Sequence, residues 1–283
     1  MSALLGLVSM FAYSLANVSS QPLVRKIGSA QVIFLRGLII CAVLVAACIP
    51  SYYRFNNLPQ VLFALSLGIA GYMPVLAFMH GLRVSRVGIV APIGATSALF
   101  TVVLAFAVLH TSLHALQWLA IVLVIAANVA ISVNPRDLRN SNVMQLESGV
   151  LYALIAALGW GLFYFLLVYP TRTIGPWASA LLVELGVTIA AGLHLYLSKQ
   201  KFVYKDALSF TVMGSGISIV AATAAYTIGV YSYNVGIVAA LSNSTALVST
   251  LLAAYFFKEK LNLFEKTVAA AMVLGVILVS WPH

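Results

Sequence analysis

Charged residues divide this chain into long apolar stretches. Residues 1–24, 55–82, 87–135, 148–171 and 207–257 contain no Asp, Glu, Lys or Arg. Within them the apolar residues run continuously, without the alternation of a membrane β-strand. A helix needs about 20 mostly apolar residues to cross a bilayer. Stretches 87–135 and 207–257 are too long for one crossing at about 1.5 Å per residue, so each must fold back once. The pattern predicts an all-α polytopic membrane protein with ten transmembrane helices. They lie near 3–21, 30–49, 60–81, 88–108, 115–133, 149–168, 177–197, 208–230, 236–256 and 264–281. The first span has no basic leader or small-residue cleavage site and reads as retained, not as a signal peptide. The longest loop, NPRDLRNSNVMQLE at 134–147, divides the chain into 1–133 and 148–283.

Composition narrows the class further. The 283 residues are 63% hydrophobic and 7% charged, against about 45–50% and about 25% in soluble domains. Fifteen basic and six acidic side chains cannot solvate a body of this size. Cys41 and Cys48 lie two turns apart on one predicted helix, roughly 10 Å, beyond disulfide reach. The net charge of +9 is scattered through loops and forms no nucleic-acid footprint. Of the 15 basic residues, 13 fall at one end of the spans, and Arg54 and Arg172 fall at the other. The positive-inside rule puts the richer end in the cytoplasm and both termini outside.

The two halves repeat each other. At an offset of 148, Gly88-Ile89-Val90-Ala91 returns as Gly236-Ile237-Val238-Ala239, Gly81 as Gly229, and Ala98-Leu99 as Ala246-Leu247. At 147, Tyr13 pairs with Trp160, Asn17 with Tyr164 and Gly28 with Gly175. Each half has five predicted spans. Five is odd, so the second copy enters the bilayer upside down. Inverted repeats suit alternating-access transporters, with substrate held near the midplane where the halves meet.

Several features resemble the EamA-like members of the drug/metabolite transporter superfamily. These are the five-plus-five arrangement, the polar-aromatic start of spans 1 and 6, and Phe256-Phe257-Lys258-Glu259-Lys260-Leu261 between spans 9 and 10. The stretch Gly88 to Ile93 opening span 4 and Arg36 in span 2 add to them. The resemblance covers the whole chain. It implies a secondary transporter in the inner (plasma) membrane that exports small amphiphilic metabolites such as amino acids. Two positions depart from the family pattern: Thr111 stands where an acidic residue is expected, and Pro92 is matched by Ala240. The family's cytoplasmic termini also oppose the charge count.

Candidate transport residues follow from the cost of polarity in a bilayer. A charge at a helix centre costs at least about 2.5–3.5 kcal/mol. Arg36 and Glu184 lie well within spans, 148 residues apart. They meet as an ion pair, or face a central cavity separately, with Glu184 holding a coupling proton or Arg36 a substrate carboxylate; a purely structural pair, or Arg36 reaching to the interface, is the plainer alternative. The i, i+4 pairs Tyr13/Asn17 and Trp160/Tyr164 each share one helix face. They line a cavity or bond neighbouring helices. Tyr72, Thr96, Tyr226 and Asn243 complete the predicted substrate-binding set, within the small polar stretches Thr96-Ser97 and Ser242 to Thr245. Close helix packing accounts for such stretches equally well.

No metal-ligand spacing, Gly-rich phosphate loop or nucleophile–base pair is present, so neither a cofactor nor enzymatic activity is expected. The expected partners are a small-molecule substrate, the lipid bilayer and, as a coupling ion, protons. Nucleic acid is not expected, and the protein is read as a monomer or homodimer. The alternatives are a multidrug or organic-cation efflux protein of the same fold, and a non-transporting membrane scaffold.

Overall fold

The structure, a computed structural model, describes residues 1–109, 115–132, 149–200, 209–233, 235–242, 244–257 and 263–280. All regular elements among them are helices. In the first half these are α1 (Ser2–Ile27), α2 (Ser29–Cys48), a 3₁₀ segment (Ile49–Asn56), α3 (Leu58–Val84), α4 (Val87–Ala95), α5 (Ser97–Leu109) and α6 (Ala115–Ser132). The second half holds α7 (Val150–Leu166), α8 (Val168–Ile174), α9 (Pro176–Leu197), α10 (Phe210–Ser232), α11 (Val235–Ser242), α12 (Thr245–Phe257) and α13 (Leu263–Ser280). Counting α4–α5, α7–α8 and α11–α12 as one each, eight helices among the described residues are long and apolar enough to cross a membrane.

The outer surface is apolar, and small polar side chains are buried among the core residues. On α1, Leu4, Val8, Phe11 and Leu15 form one exposed stripe, each more than two-fifths exposed. Ser9, Ser14 and Ser20 on the opposite side are fully buried. Exposed apolar rows of this kind face lipid. Inside, several hydroxyls bond back to carbonyls of their own helices: Ser14 to Met10 (2.7 Å), Ser20 to Ala16 (2.6 Å) and Thr227 to Thr223 (2.9 Å). Such bonds satisfy a polar group without demanding a partner helix.

The halves interleave. Helix α1 packs on α10, and its repeat counterpart α7 packs on α3. Helix α2 packs on α9, its own counterpart, and α6 on α13 likewise. Helix α4 meets α12 and α5 meets α11. Each of these contacts recurs with the halves exchanged.

Local geometry repeats as well. Gly28 joins α1 to α2 at φ 89° and ψ 157°, and Gly175 joins α8 to α9 at φ 87° and ψ 166°. That conformation is essentially reserved for glycine, which is why both copies carry it. Spans 4 and 9, expected as continuous helices, are each broken. Thr96 N–H bonds the Ile93 carbonyl and Leu99 N–H that of Thr96. Ser244 N–H bonds Leu241 and Leu247 N–H bonds Ser244, the same i, i−3 pattern 148 residues on. Small polar residues rather than proline mark both breaks, since Pro92 has Ala240 as its counterpart. Span 6 is also interrupted, at Leu167, and α1 continues to Ile27, beyond the expected end at residue 21.

Candidate functional site

A cavity of about 80 Å³ lies where the halves meet. A buried water needs ~10–15 Å³ on this scale, so several waters, or a small solute in their place, fit. Four predicted spans of each half contribute to its wall. Helices α1, α2, α3 and α4 present Tyr13, Asn17, Arg36, Phe78 and Gly94, among others. Helices α7, α9, α10, α11 and α12 present Trp160, Tyr164, Glu184, Thr223, Ser242 and Thr245.

The two i, i+4 pairs thus converge from opposite halves. The Tyr13 and Tyr164 rings meet edge to face with centroids 6.4 Å apart. Trp160 packs on Phe78 at 4.8 Å. Asn17 lines the cavity and its side chain makes no hydrogen bond to the other described residues.

Arg36 and Glu184 both face the cavity. Arg36 is 7% exposed, and its Nη1 is buried without a hydrogen-bond partner. Glu184 Oε1 accepts a hydrogen bond from Thr223 Oγ1 at 3.1 Å. Thr223 Oγ1 also lies 3.3 Å from the Tyr13 hydroxyl. A hydroxyl has one proton to give, so Tyr13 donates to Thr223 and Thr223 to Glu184. This relay links α1 of the first half to α9 and α10 of the second. Ser242 Oγ, at the end of α11, is a second buried cavity atom without a partner.

Three predicted site residues lie outside this wall. Tyr226 is fully buried one turn beyond Thr223, where its ring packs on Tyr164 at 4.8 Å and its hydroxyl donates to the Tyr164 carbonyl at 3.4 Å. Tyr72 bonds His194 Nδ1 at 2.6 Å between α3 and α9. Thr96 donates to the Ile93 carbonyl at 2.7 Å, within its own helix break. Asn243 lies outside the described residues. Sequence reasoning missed Thr223, Phe78 and Phe163 as wall residues. A buried carboxylate demands a hydroxyl or cation nearby, but nothing in the sequence singles out Thr223 from the other hydroxyls of α10. The phenylalanines carry no mark distinguishing a cavity-facing ring from a lipid-facing one.

Comparison with known proteins bears on this architecture directly. The model of the EamA-like transporter family matches residues 1–133 and again residues 147–281. No curated protein matches the chain. A solved structure described only as a crystal structure of a protein superposes with a TM-score of 0.76 and 17% identity, over 99% of this chain and 96% of that one. At that identity the likeness establishes a shared fold. The duplicated match extends over almost the whole sequence, and the chain belongs to the EamA-like transporter family.

Proposed function

We propose that the protein is a secondary transporter that exports small amphiphilic metabolites, amino acids among them, across the inner membrane by alternating access. The observation that carries this reading is a central cavity walled by both halves, with an amide, aromatic rings and two opposite charges turned into it. A scaffold has no need of such a lining, because each buried polar group costs free energy unless it is satisfied.

The exchange of contacts between the halves supports two five-helix repeats, 1–133 and 148–283, related by inversion. Two similar bundles of this kind expose the same site to either face by rocking against each other. The paired breaks at Thr96 and Ser244 border the cavity on both sides and suit such rocking. Proton coupling would act at Glu184, whose only described hydrogen-bond partner is Thr223. The presence of Glu184 in the wall also favours a second reading, efflux of organic cations.

Purified full-length protein in proteoliposomes, loaded with a panel of metabolites and assayed with and without a pH gradient, tests these readings. Transport predicts protein-dependent efflux of a few related solutes, accelerated by the gradient if protons are coupled. Efflux no faster than from protein-free vesicles for every solute would overturn it.

A further inference from the structure

Away from the central cavity, a groove of about 550 Å³ runs along the outside of α9 beside α3. Ile69 of α3 and Ile189, Leu193, Leu197, His194 and Ser198 of α9 line it. The four large apolar residues are each more than two-fifths exposed, as a lipid-facing row should be. His194 is the exception, because ionisable side chains within spans almost always face a bundle interior. Its ring is held in place: Nδ1 lies 2.6 Å from the hydroxyl of the buried Tyr72, and the two rings meet edge to face with centroids 5.8 Å apart. A Tyr72 hydroxyl donating to Nδ1 leaves the ring proton on Nε2. Nε2 has no hydrogen-bond partner among the described residues. The end of the groove is basic. Ser198 follows the last turn of α9, and the next residue, Lys199, is exposed at φ 51°. Helices usually place glycine in this left-handed position; here it carries an ammonium instead. The stretch 198–206, SKQKFVYKD, has three lysines against one aspartate.

We propose that this groove binds one anionic phospholipid, with an acyl chain along Ile69, Ile189, Leu193 and Leu197 and the phosphate at His194 and Lys199. The proposal goes beyond the transport reading and is independent of which solute the cavity carries. A buried water needs ~10–15 Å³, so the groove takes a long chain rather than a few solvent molecules. A lipid of any headgroup could cover the apolar wall. The free Nε2 and the lysine at the rim favour a phosphate without a compensating positive group beside it. The groove opens at the end of the spans that holds 13 of the 15 basic residues. The positive-inside rule assigns that end to the cytoplasmic leaflet, where acidic lipids concentrate. A second copy of the chain, at a net charge of +9, would bring more positive charge to the same place. Helices α3 and α9 belong to different halves, and their backbones meet closely at Gly68 and Gly186. A lipid in the groove therefore bridges the two halves.

Native mass spectrometry of the full-length protein in detergent, titrated with dioleoyl phosphatidylglycerol or dioleoyl phosphatidylcholine, tests this. One phosphatidylglycerol should bind at least about fivefold more tightly than phosphatidylcholine, the worth of one interfacial lysine. Lys199→Gln and His194→Phe should each narrow that preference and leave phosphatidylcholine binding unchanged. Ile189→Trp, which fills the groove from an exposed position, should lower phosphatidylglycerol occupancy severalfold. Glycerol 1-phosphate, a headgroup without chains, should not displace the lipid. Phosphatidylglycerol with a photoreactive acyl chain should crosslink to Ile69 or to residues 189–197 in the unaltered protein, a readout that needs no variant to fold. Equal affinity for the two lipids would overturn the proposal. So would displacement by glycerol 1-phosphate, crosslinks confined to other helices, or a lipid-free dimer that is lost in Ile189→Trp.

Discussion

Position 36 on α2 carries an arginine and position 184 on α9 a glutamate, one residue off the register of 147 that pairs Gly28 with Gly175. The backbones around them are near copies: the preceding glycine junctions agree within a few degrees in φ, at 89° and 87°. The side chains at their shared depth are opposites. Because α2 packs on α9, a faithful duplication would turn two like charges toward one cavity. Two arginines or two carboxylates there would repel in a low-dielectric interior. One of each sign keeps the site electrically balanced while leaving both groups available. The backbone was free to stay duplicated, since helix packing is indifferent to which copy supplies a surface. The cavity chemistry was not, since its two sides face each other.

Charge reversal is the sharpest way to break this comparison. Arg36→Glu sets two carboxylates in one cavity and should destabilise by about 3–5 kcal/mol, the cost of an uncompensated buried charge. Transport should fall below detection. Arg36→Glu combined with Glu184→Arg exchanges the two sides and should recover most of the lost stability, read as the melting temperature in detergent. Failure of the double variant to recover would show that the two groups are not coupled through the cavity.

Glycine packing gives a graded contrast between the halves. A Cβ on Gly68 of α3 would run into the Val183 backbone of α9, which cannot yield. Its counterpart Gly216 on α10 would meet chiefly Ile39, with Cγ2 at 3.1 Å and Cβ at 3.2 Å, so the neighbour need give by only a few tenths of an ångström. Gly68→Ala should cost about 1–3 kcal/mol and Gly216→Ala less than half of that, both measured by thermal unfolding. The glycine junctions should behave alike instead. Gly28→Ala and Gly175→Ala each force a side chain into a glycine-only conformation, at about 1–3 kcal/mol, and a difference above about 1 kcal/mol between them would deny their equivalence.

The smallest effect is expected at Thr223, whose counterpart is Val75. Thr223→Val removes the middle of the Tyr13–Thr223–Glu184 relay. It should cost roughly 0.5–1.5 kcal/mol, the net worth of a hydrogen bond, and raise KM more than it lowers kcat in the vesicle assay. Thiol labelling refines the comparison without altering the charges. In Asn17→Cys the thiol should react with a small aqueous maleimide, and in Tyr226→Cys, packed behind Tyr164, it should not.

Much of the site was legible because hydrocarbon is intolerant of polarity. Arg36, Glu184 and Asn17 stood out in apolar stretches, and the i, i+4 spacing of Tyr13/Asn17 and Trp160/Tyr164 put each pair on one face. All six line the cavity. Tyr72 and Tyr226 satisfied the same criterion of a polar ring in mid-span, yet both are spent on packing and hydrogen bonds between helices. Periodicity tells which residues share a face of a helix. It does not tell which neighbour that face meets, and one turn separates Thr223 in the wall from Tyr226 behind it. The breaks of spans 4 and 9 were hidden for a related reason. Their small polar residues, Thr96 and Ser244, are compatible with a straight helix, so nothing in the sequence marks the shift to i, i−3 bonding.

Sequence alone determined that the chain is helical and membrane-spanning, that its two halves repeat, and which polar groups the bilayer would force inward. These follow from transfer free energies and helical geometry, which act residue by residue. Tertiary structure alone decided that Arg36 and Glu184 share a cavity, that Thr223 joins Tyr13 to Glu184, and that Tyr226 lies buried behind Tyr164. Those outcomes depend on the rotation and spacing of helices more than 100 residues apart, set by many weak packing contacts acting together.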